Sequence, residues 1–565
     1  MQPPRPRRAC GSCCAYGCTG SGGTTARRPG ARGATAGTPV AAAAAAVASD
    51  SASSRTAKLL RRDRLPWILF AIALAERLAS LLGSADRGWP FPIFYEGDAE
   101  VFHRFAEAIL TGQPFDNGIP FHPPLFPLLL AGLRGIVGLS APAGPIRGIL
   151  AVTSAAIPPM LYLLMREPFG RAAALAAGLL AAFSFGLDVL GSAATSEGLY
   201  LLLLFGILLA IRAPAGPPNG GRSTWIRAAA IGVGAGLLAL TRAEGIVLGS
   251  ALAALWILSP VEARRPADAP ARRLGRLAIT LALIAFAAAA ITLAPWTIRN
   301  ARSLHAWNET TGRSIGVRLP TFVPVTSYGP LNFALANNGL ATGGFQRKAL
   351  SEGSSAPVLD LAIPQHRHYF LHGTAEGLSW IARHPGDYAA LALRKLGIAT
   401  RALDLGWTPW NLPMGRSGTR PPVDLFRPDS SWLRWLQLLL AGAGIALALR
   451  ARPRRTRAIL SLLLPVASVL LATLLFFGYV RQGMLAAPFL FAFEGIAIAS
   501  AASRLPTRVR SFFHRRTAQA ALLVLCLALL TAAALQNRNY VATGETDRPG
   551  GMLLRDAPIH LAPAR

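Results

Sequence analysis

Residues Arg272 to Asn300 read RRLGRLAITLALIAFAAAAITLAPWTIRN, a basic front followed by an apolar window over 276–294. A helix rises about 1.5 Å per residue, so some 20 apolar residues cross a hydrocarbon layer of about 30 Å. Arginines hold their end of such a span in the cytoplasm, because inward-facing loops carry an excess of Lys and Arg. This window reads as a membrane span, and similar windows lie near 66–83, 124–140, 146–165, 171–190, 198–211, 226–241, 243–258, 433–449, 458–478, 484–502 and 518–535. Composition agrees. The 565 residues are 52% hydrophobic and 15% charged, with a mean hydropathy of +0.40, which is more apolar content than one soluble core uses. The fold class expected is an all-α polytopic membrane protein.

A formal net charge of +30 raises nucleic acid as a partner. The arginines argue against it, since they stand in short clusters between apolar windows rather than along one helix, so no nucleic acid partner is expected and membrane lipids are. Cys10, Cys13, Cys14 and Cys18 crowd near the start of the chain, which raises a metal knuckle or acylation. No nearby His completes a zinc pattern, and the Arg, Gly, Ala, Ser and Thr around them predict a disordered basic tail over 1–63, or an over-extended start. That stretch lacks the apolar core and small-residue cleavage site of a secretory signal. Cys526 lies in an apolar window, so no disulfide framework is expected.

The arginines also fix which windows cross. Arg55, Lys58, Arg61, Arg62 and Arg64 precede the first one. Arg166 with Arg171, then Arg212, Arg222 and Arg227, then Arg264, Arg265, Arg272, Arg273 and Arg276 mark three further connections as cytoplasmic. Arg450, Arg452, Arg454, Arg455 and Arg457 mark another, and Arg504, Arg508, Arg510, Arg515 and Arg516 the last. All agree only if 124–140, which is interrupted by Gly132, Arg134 and Gly135, lies along the outer surface as a juxtamembrane helix. This parity gives about eleven transmembrane helices. It puts outer loops at 84–123 and 297–432, and a basic cytoplasmic loop, a last span and a short outer tail in 503–565. The turns at 191–197 and 241–244, and Tyr479-Val480-Arg481, then share the outer face, where one aqueous site can gather them.

The first outer loop carries Tyr95-Glu96-Gly97-Asp98, followed by Phe102, Phe105, Ala106 and Ile109 at helical spacing, then His122-Pro123-Pro124-Leu125. Asp98 stands where a helix cap would, which is its plainer reading. Here the chain resembles the GT-C superfamily of glycosyltransferases, in the family-39-like branch of protein O-mannosyltransferases and the lipid A aminoarabinose transferase. Asp98, Phe102, Ala106 and Pro123-Pro124-Leu125-Phe126 stand in the places of that branch's first-loop motif. Thr195-Ser196-Glu197 looks like its Thr-Glu segment, Leu240-Thr241-Arg242 like its Leu-Thr-Arg, and Pro295-Trp296-Thr297-Ile298-Arg299-Asn300 like the motif that closes a span before the large outer loop. Tyr328-Gly329-Pro330-Leu331-Asn332, Asn337-Asn338-Gly339, His384-Pro385 with Lys395 beyond, and Tyr479-Val480-Arg481 continue the series in order through most of 66–500.

The resemblance implies a GT-C-type bundle, here a module over 64–502, that moves a hexosyl or pentosyl group from a polyprenyl-phosphate donor to an extracytoplasmic protein, lipid or cell-envelope glycan. It implies a site on the outer face of the inner (plasma) membrane. Such chemistry needs a base for the acceptor's proton and cations for the departing phosphate. Asp98 is the expected base. Arg481, Arg242, Arg299 and Lys395 are the candidate phosphate contacts, against the plainer reading of arginines that snorkel at a membrane edge. Glu197, at the outer end of a span, should face a wet cavity or pair with Arg, and is a candidate substrate contact. Tyr328, Asn332, Asn337 and Asn338 are further ones, since amides both donate to and accept from sugar hydroxyls. Loop capping suits the three asparagines as well. His103 and His384 lack ligand spacing, so no cofactor is expected, although some GT-C enzymes outside this branch use a divalent metal. The rival is a polytopic transporter of lipid-linked or polar substrates. It predicts two repeated halves and charges at mid-membrane. No internal repeat is visible.

Overall fold

A computed structural model of the chain describes residues 63–83, 98–113, 116, 118–138, 143–192, 194–212, 222–263, 271–350, 359–405, 431–450 and 455–504. The expected tail over 1–63, apart from Asp63, and the last span at 518–535 lie outside these residues. The helices, in chain order, are α1 (Leu65–Gly83), α2 (Asp98–Thr111), α3 (Leu125–Val137), α4 (Ala143–Ser154), α5 (Ile157–Met165), α6 (Arg171–Ala182), α7 (Phe185–Ser192), α8 (Ser196–Arg212), α9 (Arg222–Thr241), α10 (Gly245–Ala263) and α11 (Ala271–Trp307). After them come α12 (Gly329–Ala336), α13 (Pro364–Arg383), α14 (Pro385–Thr400), α15 (Ser431–Arg450), α16 (Thr456–Leu475) and α17 (Val480–Ser503). Among the described residues there is no sheet. The chain is an all-α, multi-pass membrane protein.

Six stretches among the described residues are long and apolar enough to cross a membrane: Gly144–Met165, Arg222–Thr241, Gly275–Gly312, Trp432–Arg450, Thr456–Leu475 and Val480–Ser503. Two expected spans are jointed. The window 146–165 turns at Ala155 and Ala156, just before Pro158-Pro159, and the window 171–190 breaks between α6 and α7. Helix α3 has 13 residues, which is about 20 Å and short of a crossing. The window 276–294 does not end where expected. Helix α11 runs on through Pro295 for 37 residues, about 55 Å, so its last turns stand clear of a hydrocarbon layer.

The loop past that helix is tied back by the motif that precedes it. Trp296 Nε1 donates to Val325 O at 2.8 Å, and Asn300 Nδ2 to Val323 O at 2.9 Å and Val325 O at 3.2 Å. Around this anchor Leu304, Trp307, Val317, Leu331, Leu335, Phe370 and Phe477 form a core of their own. The larger core lies within the bundle, with Phe205 of α8 stacked on Phe489 of α17 at 5.2 Å.

The basic connections meet at one end of that bundle. Arg212, at the end of α8, pairs with Glu167 and donates to Leu163 O, and Arg455 lies 5.9 Å over the ring of Phe169. Glu197 stands at the opposite end of α8, roughly 25 Å away along 17 residues. Three of the connections that the arginine parity groups together therefore converge in space, and Glu197 with Arg242 and Arg481 lies at the other end.

Candidate active site

Three helix ends build the site. Glu197 lies in the first turn of α8, fully buried, where the helix N-terminus favours a negative charge. Arg242 follows the last residue of α9. Its Nη1 donates to Glu197 Oε1 at 2.6 Å and its Nε to Glu244 Oε1 at 2.6 Å. Burial opposes the Arg242 charge, but Glu244 and Glu197 outweigh it and raise its pKa. Arg481, in the first turn of α17, brings its Nε to 3.4 Å from the same Glu197 oxygen and its guanidinium to 5.5 Å from the Tyr479 ring. One buried carboxylate is thus shared by two guanidiniums. They are drawn together from segments 45 and 284 residues away in sequence.

These arginines line a cavity of about 410 Å³. Glu244 lines it beside them, and the amides of Asn332 and Gln482 face it as well. Val247, Leu471, Ala472 and Leu475 make an aliphatic wall where α10 and α16 approach, while Phe345, Phe477 and Tyr479 close another side. A third wall is aromatic and centres on His122, whose ring lies 5.5 Å from Phe102, 5.3 Å from Phe121 and 6.2 Å from Tyr328. The cavity therefore joins a cationic patch to aliphatic and aromatic surface. Guanidinium forks suit phosphate oxygens, aromatic faces suit the apolar faces of sugars, and aliphatic walls suit a hydrocarbon chain.

With this geometry in hand, comparison with known proteins finds that residues 121–291 match the family model described as dolichyl-phosphate-mannose-protein mannosyltransferase. The chain resembles the GT-C mannosyltransferases. The matched stretch includes Phe121, His122, Glu197, Arg242 and Glu244, is under a third of the chain, and reaches neither Asp98 nor Arg481. No curated protein matches the chain. Among solved structures, the Archaeoglobus fulgidus oligosaccharyltransferase tethered with an acceptor peptide is 15% identical, with a TM-score of 0.46 over 89% of this chain and 64% of that one. The chain thus spans less than two thirds of that protein. The A. fulgidus oligosaccharyltransferase AglB in complex with an inhibitory peptide and a dolichol-phosphate gives 14%, 0.42, 86% and 56%, and ArnT from Cupriavidus metallidurans in the apo state gives 14%, 0.27, 77% and 78%. Likenesses at these scores carry no argument about the site.

The mannosyltransferase-like motifs divide once their residues are located. Arg242, Arg481, Tyr328 and Asn332 line the cavity, and Glu197 lies beneath the two arginines. The side chain of Asp98 lies outside the described residues. Its backbone opens α2, and Phe102, one turn on, walls the cavity. The other candidates are engaged elsewhere. Arg299, expected on a phosphate, forms a two-pronged pair with Asp116, its Nη2 to Oδ1 at 2.6 Å, and stacks 4.8 Å over Trp296. Lys395 is buried and donates to Asn337 Oδ1 at 2.8 Å and Leu474 O at 3.1 Å. Asn337 in turn donates to Phe333 O and Leu475 O, and Asn338 to Ala334 O and Leu335 O. Lys395 and Asn337 join the segment after α11 to α16, and Asn338 caps α12, instead of lining the cavity. His103 accepts from Arg134 at 2.8 Å, and His384 stacks on Trp380.

Sequence reading passed over Glu244, His122, Gln482 and Asp116. Glu244 stands two residues after Arg242 and Gln482 directly after Arg481, so adjacency to the motif arginines was the available signal. Asp116 carried none, since its partner Arg299 is 183 residues away.

Proposed function

We propose that the chain is a membrane glycosyltransferase that transfers a hexosyl or pentosyl group from a polyprenyl-phosphate carrier to an extracytoplasmic protein, lipid or cell-envelope glycan, in the inner (plasma) membrane. The observation that carries this reading is the cavity itself. Two guanidiniums, held by one buried carboxylate, stand beside an aliphatic wall between two membrane helices and an aromatic wall to which the helix opened by Asp98 contributes Phe102. The family match over 121–291 supports the mannosyltransferase class over a transporter.

In this mechanism the Asp98 carboxylate takes the proton of the acceptor hydroxyl as its oxygen attacks the anomeric carbon. The bond from that carbon to the phosphate oxygen breaks, and the electron pair leaves with the polyprenyl phosphate. Arg242 and Arg481 stabilise the negative charge that grows there, through charge-assisted hydrogen bonds. Glu197 positions both guanidiniums, and Tyr328 with Asn332 contacts the sugar. Arg299 and Lys395 support the outer loop. The arginine parity supports an outward-facing site within a module over 64–502.

The test supplies radiolabelled mannosyl, glucosyl, galactosyl and aminoarabinosyl polyprenyl phosphates to membranes containing the wild-type chain or Asp98→Asn. Transfer by the wild type, slowed at least about 100-fold in the variant, is expected for loss of a general base. Equal rates for both would remove Asp98 from this role. Donor consumption by neither, with facilitated movement of a labelled donor across the bilayer, would favour a transporter.

A further inference from the structure

Buried amide side chains are ordinarily committed, because an unmet polar atom away from water is costly. Asn300, Asn308, Asn337 and Gln437 obey this, each donating to a backbone carbonyl, and so do the half-buried Asn338 and Gln346. Two residues depart from it. Among the described residues neither Asn332 nor Gln482 makes a side-chain hydrogen bond, although Asn332 Oδ1 is sealed from solvent and Gln482 is only 6% exposed. Both line the cavity that holds Arg242 and Arg481.

Their backbones do not explain the vacancy. Asn332, in the first turn of α12, already donates its main-chain N–H to Tyr328 O at 2.9 Å, so its amide is free to meet something else. The contrast with Asn337 is direct: five residues on, along the same short segment, that amide is saturated by Phe333, Leu475 and Lys395. A guanidinium only donates, which suits a phosphate. An amide both donates and accepts, which suits a hydroxyl.

We infer that Asn332 and Gln482 form an amide pair that reads hydroxyl groups of the transferred sugar, and so set which sugar the cavity accepts, while the arginines read only the phosphate common to all carriers. This rests on the reading of the chain as a glycosyltransferase. A donor lacking the hydroxyl that meets Asn332 leaves a buried amide atom unpaired, and that loss is worth roughly 10- to 100-fold in kcat/KM.

The experiment takes the polyprenyl-phosphate sugar that the wild type consumes best, together with each of its monodeoxy analogues, and measures kcat/KM for the wild type, Asn332→Leu, Asn332→Asp and Gln482→Leu. In the wild type one monodeoxy analogue should be slower by about 10- to 100-fold. Asn332→Leu should reduce that penalty to under about 3-fold, because the orphaned atom is gone, and Asn332→Asp, which keeps an acceptor of the same size, should restore most of it. Gln482→Leu should relax discrimination at a second position. A variant that merely folds poorly lowers every rate together and leaves the ratios as they were. Unchanged ratios in Asn332→Leu and Gln482→Leu would overturn the amide pair and leave the glycosyltransferase reading standing. Consumption of no donor by the wild type would overturn that reading, and the pair with it.

Discussion

Glu197→Gln is the substitution that probes the site most directly. The carboxylate is fully buried and meets Arg242 at 2.6 Å and Arg481 at 3.4 Å. Glutamine keeps the shape and one hydrogen-bonding oxygen but removes the charge. A charge pair about 4 Å apart is worth roughly 4 kcal/mol at the effective dielectric of partly buried sites. Breaking a buried pair from one side costs about 3–5 kcal/mol, because the partner keeps its desolvation penalty. The change weakens both pairs at once, with Glu244 still on Arg242, and a net loss of about 3 kcal/mol is expected. It should appear as a fall of several degrees in the melting temperature of detergent-solubilised protein, followed by tryptophan fluorescence. Donor KM should rise about 10-fold or more as the two guanidiniums repel. The double variant Glu197→Gln/Arg481→Gln should recover at least about 1 kcal/mol of the stability, since two guanidiniums no longer face each other across an uncharged side chain, while transfer stays low. A Glu197→Gln protein that melts with the wild type and keeps its KM, or a double variant whose losses simply add, would refute the shared-carboxylate account.

Three further outcomes follow from the contacts outside the cavity. Arg299→Ala strands Asp116, which is 5% exposed, and should lower stability by about 3 kcal/mol while leaving donor KM within about 2-fold of the wild type; a KM effect larger than the stability effect would return Arg299 to the phosphate. Burial lowers the Lys395 ammonium to about 8 from 10.5, so the folded chain sheds this proton first. Between those values the unfolded chain binds more protons and stability rises with pH, whereas below about 8 both states are protonated and the gain is absent. Melting temperature against pH should therefore climb more steeply there in the wild type than in Lys395→Met, and parallel curves would count against a desolvated lysine. A Cβ on Gly483 would meet Ala399 O at 2.0 Å, so Gly483→Ala must push the start of α17 away from α14. Arg481 moves with it, and donor KM should rise at least about 5-fold, as expected when a phosphate contact shifts by about 1 Å; an unchanged KM would mean that α17 absorbs the shift elsewhere.

The helical bundle was legible because hydropathy and arginine placement are properties of contiguous sequence. The window 276–294 needed only its own residues to be read, and the clusters near Arg212 and Arg455 converge at one end of the bundle, as their common sign requires. The joints were not legible as such. Pro158-Pro159 opens a helix here, whereas Pro295 lies inside one, and the difference depends on what packs around each. The six stretches among the described residues are fewer than the count that parity gives, because 518–535 lies outside those residues and the apolar parts of α6, α8 and α10 are short.

The site was legible only as a pool of candidates, and the reason lies in what a cation needs. Arg242, Arg299 and Arg481 are equivalent in sequence: each is an arginine at an end of an apolar window, within two residues of an aromatic or a Thr. What separates them is the carboxylate that the fold delivers. Arg299 receives Asp116 for itself in a two-pronged pair, which closes its fork to any ligand oxygen at those nitrogens. Arg242 and Arg481 divide one buried carboxylate between them at the wall of a cavity. The same holds for the asparagines. Asn332 and Asn337 lie on one short helix and its cap, yet one residue lines the cavity and makes no side-chain hydrogen bond among the described residues, while the other is locked by Lys395. Function here follows from which partners the fold delivers, and the deciding ones, Asp116 for Arg299 and Glu197 for Arg242 and Arg481, come from segments far away in the chain, where no local pattern can announce them.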